Sequence, residues 1–204
     1  MEQVLADADL CSLRSARRDV TVLFADIRDF TAFAEQHRPE QGVDVLNAYF
    51  DVMVHVLFAY QGTLDKFLGD GVLALFGTPL VQPDHPQRAV QAALDMQRAA
   101  ASLNAARQRR GQPTLQIGIG INSGEAIVGN IGSEKRMEYT VIGDMVNVAQ
   151  RLQALARGGE ILMGASALPS VQPLVTVYDT VETHVKGRRQ PVRVHRIGPR
   201  QLER

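Results

Sequence analysis

The sequence predicts a single α+β domain, with helices packed on one mainly antiparallel sheet. Three observations carry this. Apolar runs of strand length and amphipathic stretches of helix length follow one another in the order βααββαββ, with further α and β elements after them. An Asp-Gly pair sits directly between two of the apolar runs, the turn chemistry of an antiparallel hairpin. The 204 residues, 45% of them hydrophobic, suit one core, and no repeat, low-complexity tract or second core interrupts it.

The elements follow in chain order. Residues 1–18 read as a lead-in helix or linker ending in the basic cluster Arg14, Arg17 and Arg18. Val20–Ala25 is a buried strand, apolar almost throughout. A helical stretch follows with Phe30, Phe33 and Ala34. Pro39 opens a longer helix whose apolar positions Val43, Leu46, Phe50, Met53 and Leu57 keep the helical period until Gly62. Thr63–Phe67 and Val72–Phe76 pair across Gly69-Asp70-Gly71. Pro79, Pro83 and Pro86 mark a loop before an alanine-rich helix, about residues 87–109, with Ala89, Ala93, Met96, Ala100 and Leu103 on one face. In residues 115–122 Leu115, Ile117, Ile119 and Ile121 share one face, and Gln116, Gly118, Gly120 and Asn122 the other. The two glycines permit close approach of another backbone or helix. A Ser123-Gly124 turn then leads to a strand over Ala126–Ile131. Glu138–Ile142 is a short strand and Asp144–Ala156 a helix. Strands near Glu160–Met163, Leu174–Val185 and Pro191–Ile197 complete the domain, and residues 199–204 are a tail.

Charge and cysteine content exclude several classes. Lys+Arg and Asp+Glu each number 22, so bulk charge does not draw this chain to nucleic acid or to an anionic membrane, although a local basic pocket remains open. The single cysteine, Cys11, has no intrachain partner, which fits a reducing compartment. No apolar stretch approaches the ~20 residues of a membrane span, and the N-terminus lacks a basic-then-apolar leader. The expectation is a cytoplasmic protein with no membrane span and no nucleic-acid partner.

Several side chains point to chemistry. Asp26 ends the first strand, immediately before a helix start, so a carboxylate lies beside free backbone N–H groups. Those groups suit phosphate oxygens, and the carboxylate suits the cation that accompanies them. Asp26 or Asp29 can equally cap the helix. Asp70 can be ordinary hairpin chemistry. Lys66 lies within an otherwise apolar hairpin strand, where it either snorkels to solvent or enters a ligand pocket. Asn147 and Arg151, four apart, flank the buried stripe Met145, Val148, Ala149, Leu152 and Ala156. They are either a solvent-facing pair or a clamp for ribose and phosphate.

Three segments together resemble the catalytic domain of class III nucleotidyl cyclases: Phe24-Ala25-Asp26-Ile27-Arg28-Asp29-Phe30-Thr31, Lys66-Phe67-Leu68-Gly69-Asp70-Gly71, and Tyr139–Arg151. Gly118–Gly132 and His184-Val185-Lys186-Gly187 are similar to the bacterial members. The resemblance covers about residues 18–198, which makes 19–198 the catalytic domain. It implies a ferredoxin-like or palm-like βααββαβ sandwich. It further implies that Asp26 and Asp70, with the backbone carbonyl of Ile27, bind two divalent cations, Mg2+ or Mn2+. Lys66 and Thr140 would read the purine, Phe30, Thr31 and Lys186 would contact the substrate, and Asn147 and Arg151 would be catalytic.

The residue types fit attack of a ribose 3′-hydroxyl on the α-phosphate of the same nucleotide. Adenine N1 accepts, which suits the Lys66 ammonium, and its amino group donates, which suits a threonine hydroxyl. Guanine reverses both, so the implied substrate is ATP. Lys66 and Asp70 lie roughly 13 Å apart along an extended strand. The resemblance implies a homodimer with two shared sites: one chain supplies Asp26 and Asp70, the other Lys66, Thr140, Asn147, Arg151 and Lys186. Gly118, Gly120 and Asn130–Glu138 are then interface candidates. Thr140 stands where many members have aspartate, as in the subgroup that includes bicarbonate-responsive cyclases, so bicarbonate is a candidate effector. Glu125 replaces a phosphate-contacting arginine of some members. The rival readings are a guanylyl or diguanylate cyclase-type enzyme and a non-catalytic cyclase-like dimerisation module. Against diguanylate cyclases stands the absence of a Gly-Gly-Asp/Glu-Glu-Phe run.

Overall fold

A computed structural model describes residues 15–183 and 191–200. Lys186, with the rest of the segment His184–Gly187, lies outside the described residues. Among the described residues eight strands form one sheet: β1 (Ala16–Ile27), β2 (Thr63–Leu68), β3 (Gly71–Phe76), β4 (Ile117–Ser133), β5 (Arg136–Ile142), β6 (Ile161–Gly164), β7 (Val175–Thr183) and β8 (Val192–Pro199). The sheet order is β2-β3-β1-β4-β6-β8-β7, with β5 paired to β4. Among the described residues only β4 and β6 run parallel; every other pair is antiparallel. The helices are α1 (Phe30–Gln36), α2 (Pro39–Ala59), α3 (His85–Arg109), α4 (Asp144–Leu155) and the short α5 (Leu168–Val171). The expected α+β sandwich is the architecture found.

Strand β1 is apolar through its centre, Thr21 apart, because both of its faces are covered. Leu23, Ala25 and Ile27 pack on one side with Tyr49, Met53 and Leu57 of α2 and Ala89, Ala93 and Met96 of α3. Val20, Val22 and Phe24 pack on the other side with Leu73, Leu75 and Met145 and Ala149 of α4. Val148 and Leu152 of helix α4, with its C-cap residue Ala156, are also buried against Leu162 and Val194. The stripe expected for α4 is therefore the stripe it buries.

Three local expectations are corrected. Strand β1 begins at Ala16 and takes in Arg17 and Arg18, because its pairing with β4 runs from Ala16↔Val128 to Ile27↔Ile117. No turn interrupts β4 at Ser123-Gly124. Thr21 pairs with Ser123 and Val20 with Gly124, and the Thr21 and Ser123 hydroxyls hydrogen-bond at 2.6 Å. Gly124 sits at φ 155°, a conformation open to glycine, and this lets the 17-residue strand continue where a turn was expected. In α2 the buried positions are Gly42, Val45, Tyr49, Met53 and Leu57, whereas Val43 is 54% exposed. Tyr49 sets that register: its ring is buried and its hydroxyl accepts the Leu115 N–H at 2.6 Å. Helix α2 is long and apolar enough to cross a membrane, a property that core helices share, and it places this stripe against the sheet.

Candidate active site

Asp26 is the next residue, after Val20, Val22 and Phe24, on the α4 face of β1. It pairs with Gly71, whose missing side chain leaves room: a Cβ there would lie 3.3 Å from the Asp26 Oδ2 and 3.0 Å from the Ala25 carbonyl. Leu68 pairs with Gly71, so the hairpin loop is Gly69-Asp70, one residue earlier than the Asp-Gly pair implies, with Gly69 at φ 63°. This loop folds onto the end of β1, where the Ile27 N–H donates to the Asp70 carbonyl at 3.1 Å. Asp26, Ile27 and Asp70 are thus brought together within one chain.

Burial and the neighbouring Asp70 carboxylate push the Asp26 carboxyl up to about 6, against the pull of Arg28. The Arg28 Nη1 stands 3.4 Å from Asp26 Oδ1, and Nη2 donates to the Gln153 carbonyl at the end of α4. Two neighbouring carboxylates, of which Asp26 is paired with one guanidinium, favour an added cation. Two carboxylates and a backbone oxygen are hard ligands of the kind that hold Mg2+ when phosphates and water complete its shell. Among the described residues no group of three or more His, Cys, Asp or Glu side chains surrounds a metal position, so phosphate oxygens would have to complete it. Asp29 stands at the N-cap of α1 but makes no side-chain cap bond, in a left-handed conformation at φ 59°. Phe30 is partly buried against the core and Thr31 is exposed, both in the first turn of α1, whose opening N–H groups lack helical acceptors.

Lys66 and Thr140 meet through a residue that the sequence reading did not single out. A β-bulge between Leu64 and Lys66 breaks the alternation of β2. Leu64 pairs with Ala74 on the α2/α3 side, Asp65 is the extra residue, and Lys66 pairs with Leu73 on the α4 side. Thr140 Oγ1 donates to Asp65 Oδ2 at 2.6 Å, and Lys66 Nζ stands 3.5 Å from Asp65 Oδ1. Glu138 takes a direct hydrogen bond from Lys66 Nζ at 2.7 Å and is itself held by Arg136. Burial pushes the Asp65 carboxyl up, with Thr140 and Lys66 acting against it; Lys66 is pushed up chiefly by Glu138. Lys66 is two strands from Asp26, roughly 10 Å across the sheet.

Asn147 is exposed and Arg151 partly exposed on the face of α4 turned from its own sheet. Neither side chain makes a hydrogen bond or ion pair among the described residues, and neither is joined to Asp26 or Asp70 in this chain. Glu125 is held by Arg17 at 3.3 Å, both side chains well exposed. Gly118 and Gly120, expected as interface candidates, are internal packing positions. A Cβ on Gly118 would lie 2.4 Å from Arg28 Nε, and one on Gly120 would lie 2.1 Å from the Gln153 backbone nitrogen. The close approach they permit is that of Arg28 and α4 of the same chain. The segment 131–137 is a largely exposed hairpin tip.

Comparison with known proteins identifies the family. The adenylate and guanylate cyclase catalytic domain family matches residues 14–198. Adenylate cyclase 1 of Rhizobium meliloti (strain 1021) is 32% identical over 183 residues, which cover 89% of this chain and 28% of that protein. The crystal structure of adenylyl cyclase CyaB from P. aeruginosa matches with a TM-score of 0.88 at 34% identity, covering 93% of this chain and 98% of that one. The guanylyl cyclase Cya2 matches with a TM-score of 0.86 at 40% identity, covering 92% and 95%. The chain belongs to the class III adenylate and guanylate cyclase catalytic domain family. It spans about a third of the length of such curated relatives.

Proposed function

We propose that this domain is an adenylyl cyclase, converting ATP to 3′,5′-cyclic AMP and pyrophosphate at sites shared between two copies of the chain. One observation carries the choice of purine: Lys66 and Thr140, 74 positions apart, converge on the Asp65 carboxylate. Lys66 donates to the acceptor N1 of adenine, and Thr140 accepts from its 6-amino group. The relatives alone leave the choice open, because both an adenylyl and a guanylyl cyclase match nearly the whole chain.

Asp26, Asp70 and the Ile27 carbonyl would hold two divalent cations, Mg2+ or Mn2+. When bound, these cations supply Lewis acidity at the 3′-hydroxyl and charge neutralisation along the triphosphate. The first turn of α1, with Phe30 and Thr31, offers backbone N–H groups to phosphate oxygens. Asn147 orients the ribose so that its 3′-oxygen lies in line with the bond to be broken. The new O3′–Pα bond forms as the bond from Pα to the bridging oxygen breaks, the electron pair leaves with pyrophosphate, and the 3′-hydroxyl proton passes to solvent. Arg151 stabilises the charge that grows at the α-phosphate. Lys186 contacts the triphosphate.

The outward-facing Asn147 and Arg151 support a homodimer in which each metal-binding half faces the other chain's purine and ribose half. Thr140 also motivates bicarbonate stimulation. A rise in turnover across a bicarbonate titration at fixed pH is expected, and a flat response contradicts it. Product analysis after incubation with ATP or GTP, each with Mg2+ and Mn2+, tests the substrate. Cyclic AMP is the expected main product, lost in Asp70→Ala; cyclic GMP or a dinucleotide as main product contradicts the proposal.

A further inference from the structure

We propose that Asp65 is a positioning residue that fixes the polarity of the Thr140 hydroxyl, and thereby the choice between a 6-amino and a 6-oxo purine. This rests on the adenylyl reading above and assigns the device that enforces it. A threonine hydroxyl has one hydrogen and two lone pairs, so alone it rotates to accept from an amino group or to donate to a carbonyl. Thr140 does not have that freedom. Its hydrogen is committed to Asp65 Oδ2 at 2.6 Å, and an ionised carboxylate only accepts. What Thr140 can present to a base is therefore lone pairs.

The other carboxylate oxygen faces the Lys66 ammonium at 3.5 Å. Asp65 thus fixes the acceptor and stands beside the donor, whose own direct hydrogen bond goes to Glu138, and the pair is the complement of the 6-amino group and N1 of adenine. A 6-oxo purine mismatches at both points, with its O6 against lone pairs and its N1–H against an ammonium. The Asp65 side chain is only 1% exposed, so bulk water does not compete for Thr140 at that carboxylate. The bulge makes the arrangement possible, because regular alternation would send Asp65 and Lys66 to opposite faces of β2.

The test compares kcat/KM for ATP and ITP in the chain as it stands and in Asp65→Asn. ITP carries O6 and N1–H without guanine's 2-amino group, so it isolates these two contacts. A carboxamide both donates and accepts, which releases Thr140 to donate. The ATP/ITP ratio is expected to fall about tenfold or more, with ITP turnover rising in absolute terms. Asp65→Glu, which keeps a carboxylate, is expected to retain most of the ratio. Equal losses for ATP and ITP in Asp65→Asn, with the ratio unchanged, overturn the assignment by showing a merely structural role. If Asp65→Asn does not fold, Thr140→Val keeps the assignment open to refutation: it removes the hydroxyl that Asp65 orients, and an unchanged ratio there overturns the assignment. A wild-type chain that prefers GTP to ATP overturns the adenylyl reading and this assignment with it. A wild-type preference for ATP with an unmoved ratio in the variants overturns only the role of Asp65.

Discussion

The Ile27 N–H donates to the Asp70 carbonyl at 3.1 Å, which holds a hairpin loop against the end of the neighbouring strand. Two residues that are 43 positions apart are thereby fixed at the point where Asp26 emerges. The carboxylates of Asp26 and Asp70 repel one another there, and Arg28 only partly offsets them. The cost of that repulsion is borne by the cation-free protein.

Asp70→Asn should therefore separate stability from activity. Removing one of two neighbouring carboxylates is expected to raise cation-free stability near pH 7 by roughly 0.2–1 kcal/mol, the size of a cross-strand charge pair. The same change should lower cyclase turnover roughly a hundredfold or more, because a cation ligand is lost. Urea unfolding without divalent cations and a cyclic AMP assay with them check the two halves.

Gly120→Ala should be costly although it adds one methyl. The new Cβ would lie 2.1 Å from the Gln153 nitrogen and 2.4 Å from the Ala149 carbonyl, both backbone atoms of α4. Helix α4 has to move away from the sheet, with an expected loss of about 1–3 kcal/mol. Denaturant unfolding measures the loss. Since α4 carries Asn147 and Arg151, turnover of the folded fraction should fall as well.

His85 should make the fold sensitive to acid. Its ring is buried, with Nδ1 2.7 Å from the Thr21 hydroxyl, and burial pushes it below its ordinary value despite Asp19 and Asp84 nearby. Above about pH 6.5 the ring is neutral in both folded and unfolded chains. As pH falls through that value the unfolded chain takes up a proton that the folded one resists, so stability declines until the lower folded value is reached. Unfolding free energies between pH 8 and pH 5 should fall more steeply for the wild type than for His85→Gln. Parallel profiles would exclude His85 as the source.

The fold was legible because its period signals were strong: the β1 run, the β2–β3 hairpin and the α4 stripe all lie where the residues indicate. What escaped was irregular. A β-bulge at Asp65 leaves no mark in the order of residue types, yet it decides that Lys66 faces α4 and not α2. Asp65, Glu138 and Arg28 owe their places to partners far along the chain, 75 positions away for Thr140 and Asp65 and 125 for Arg28 and Gln153. Gly118 and Gly120 showed that something approaches closely but not what, and the neighbour is the same chain's α4 and Arg28. The α2 register slipped because Val43 fits the apolar period, whereas the hydrogen bond of Tyr49 to Leu115 fixes which face turns inward.

The central claim is an ATP-cyclising site assembled from two copies of the chain, and complementation tests it most directly. Asp26→Ala removes the metal-binding half and Asn147→Ala the ribose-orienting half, so each variant alone should form almost no cyclic AMP from ATP. Mixed in equal amounts under conditions of subunit exchange, half of the dimers carry one intact site out of two. Activity should then return to roughly a quarter of the wild-type level. Exchange with no recovery of cyclic AMP synthesis would contradict the shared site.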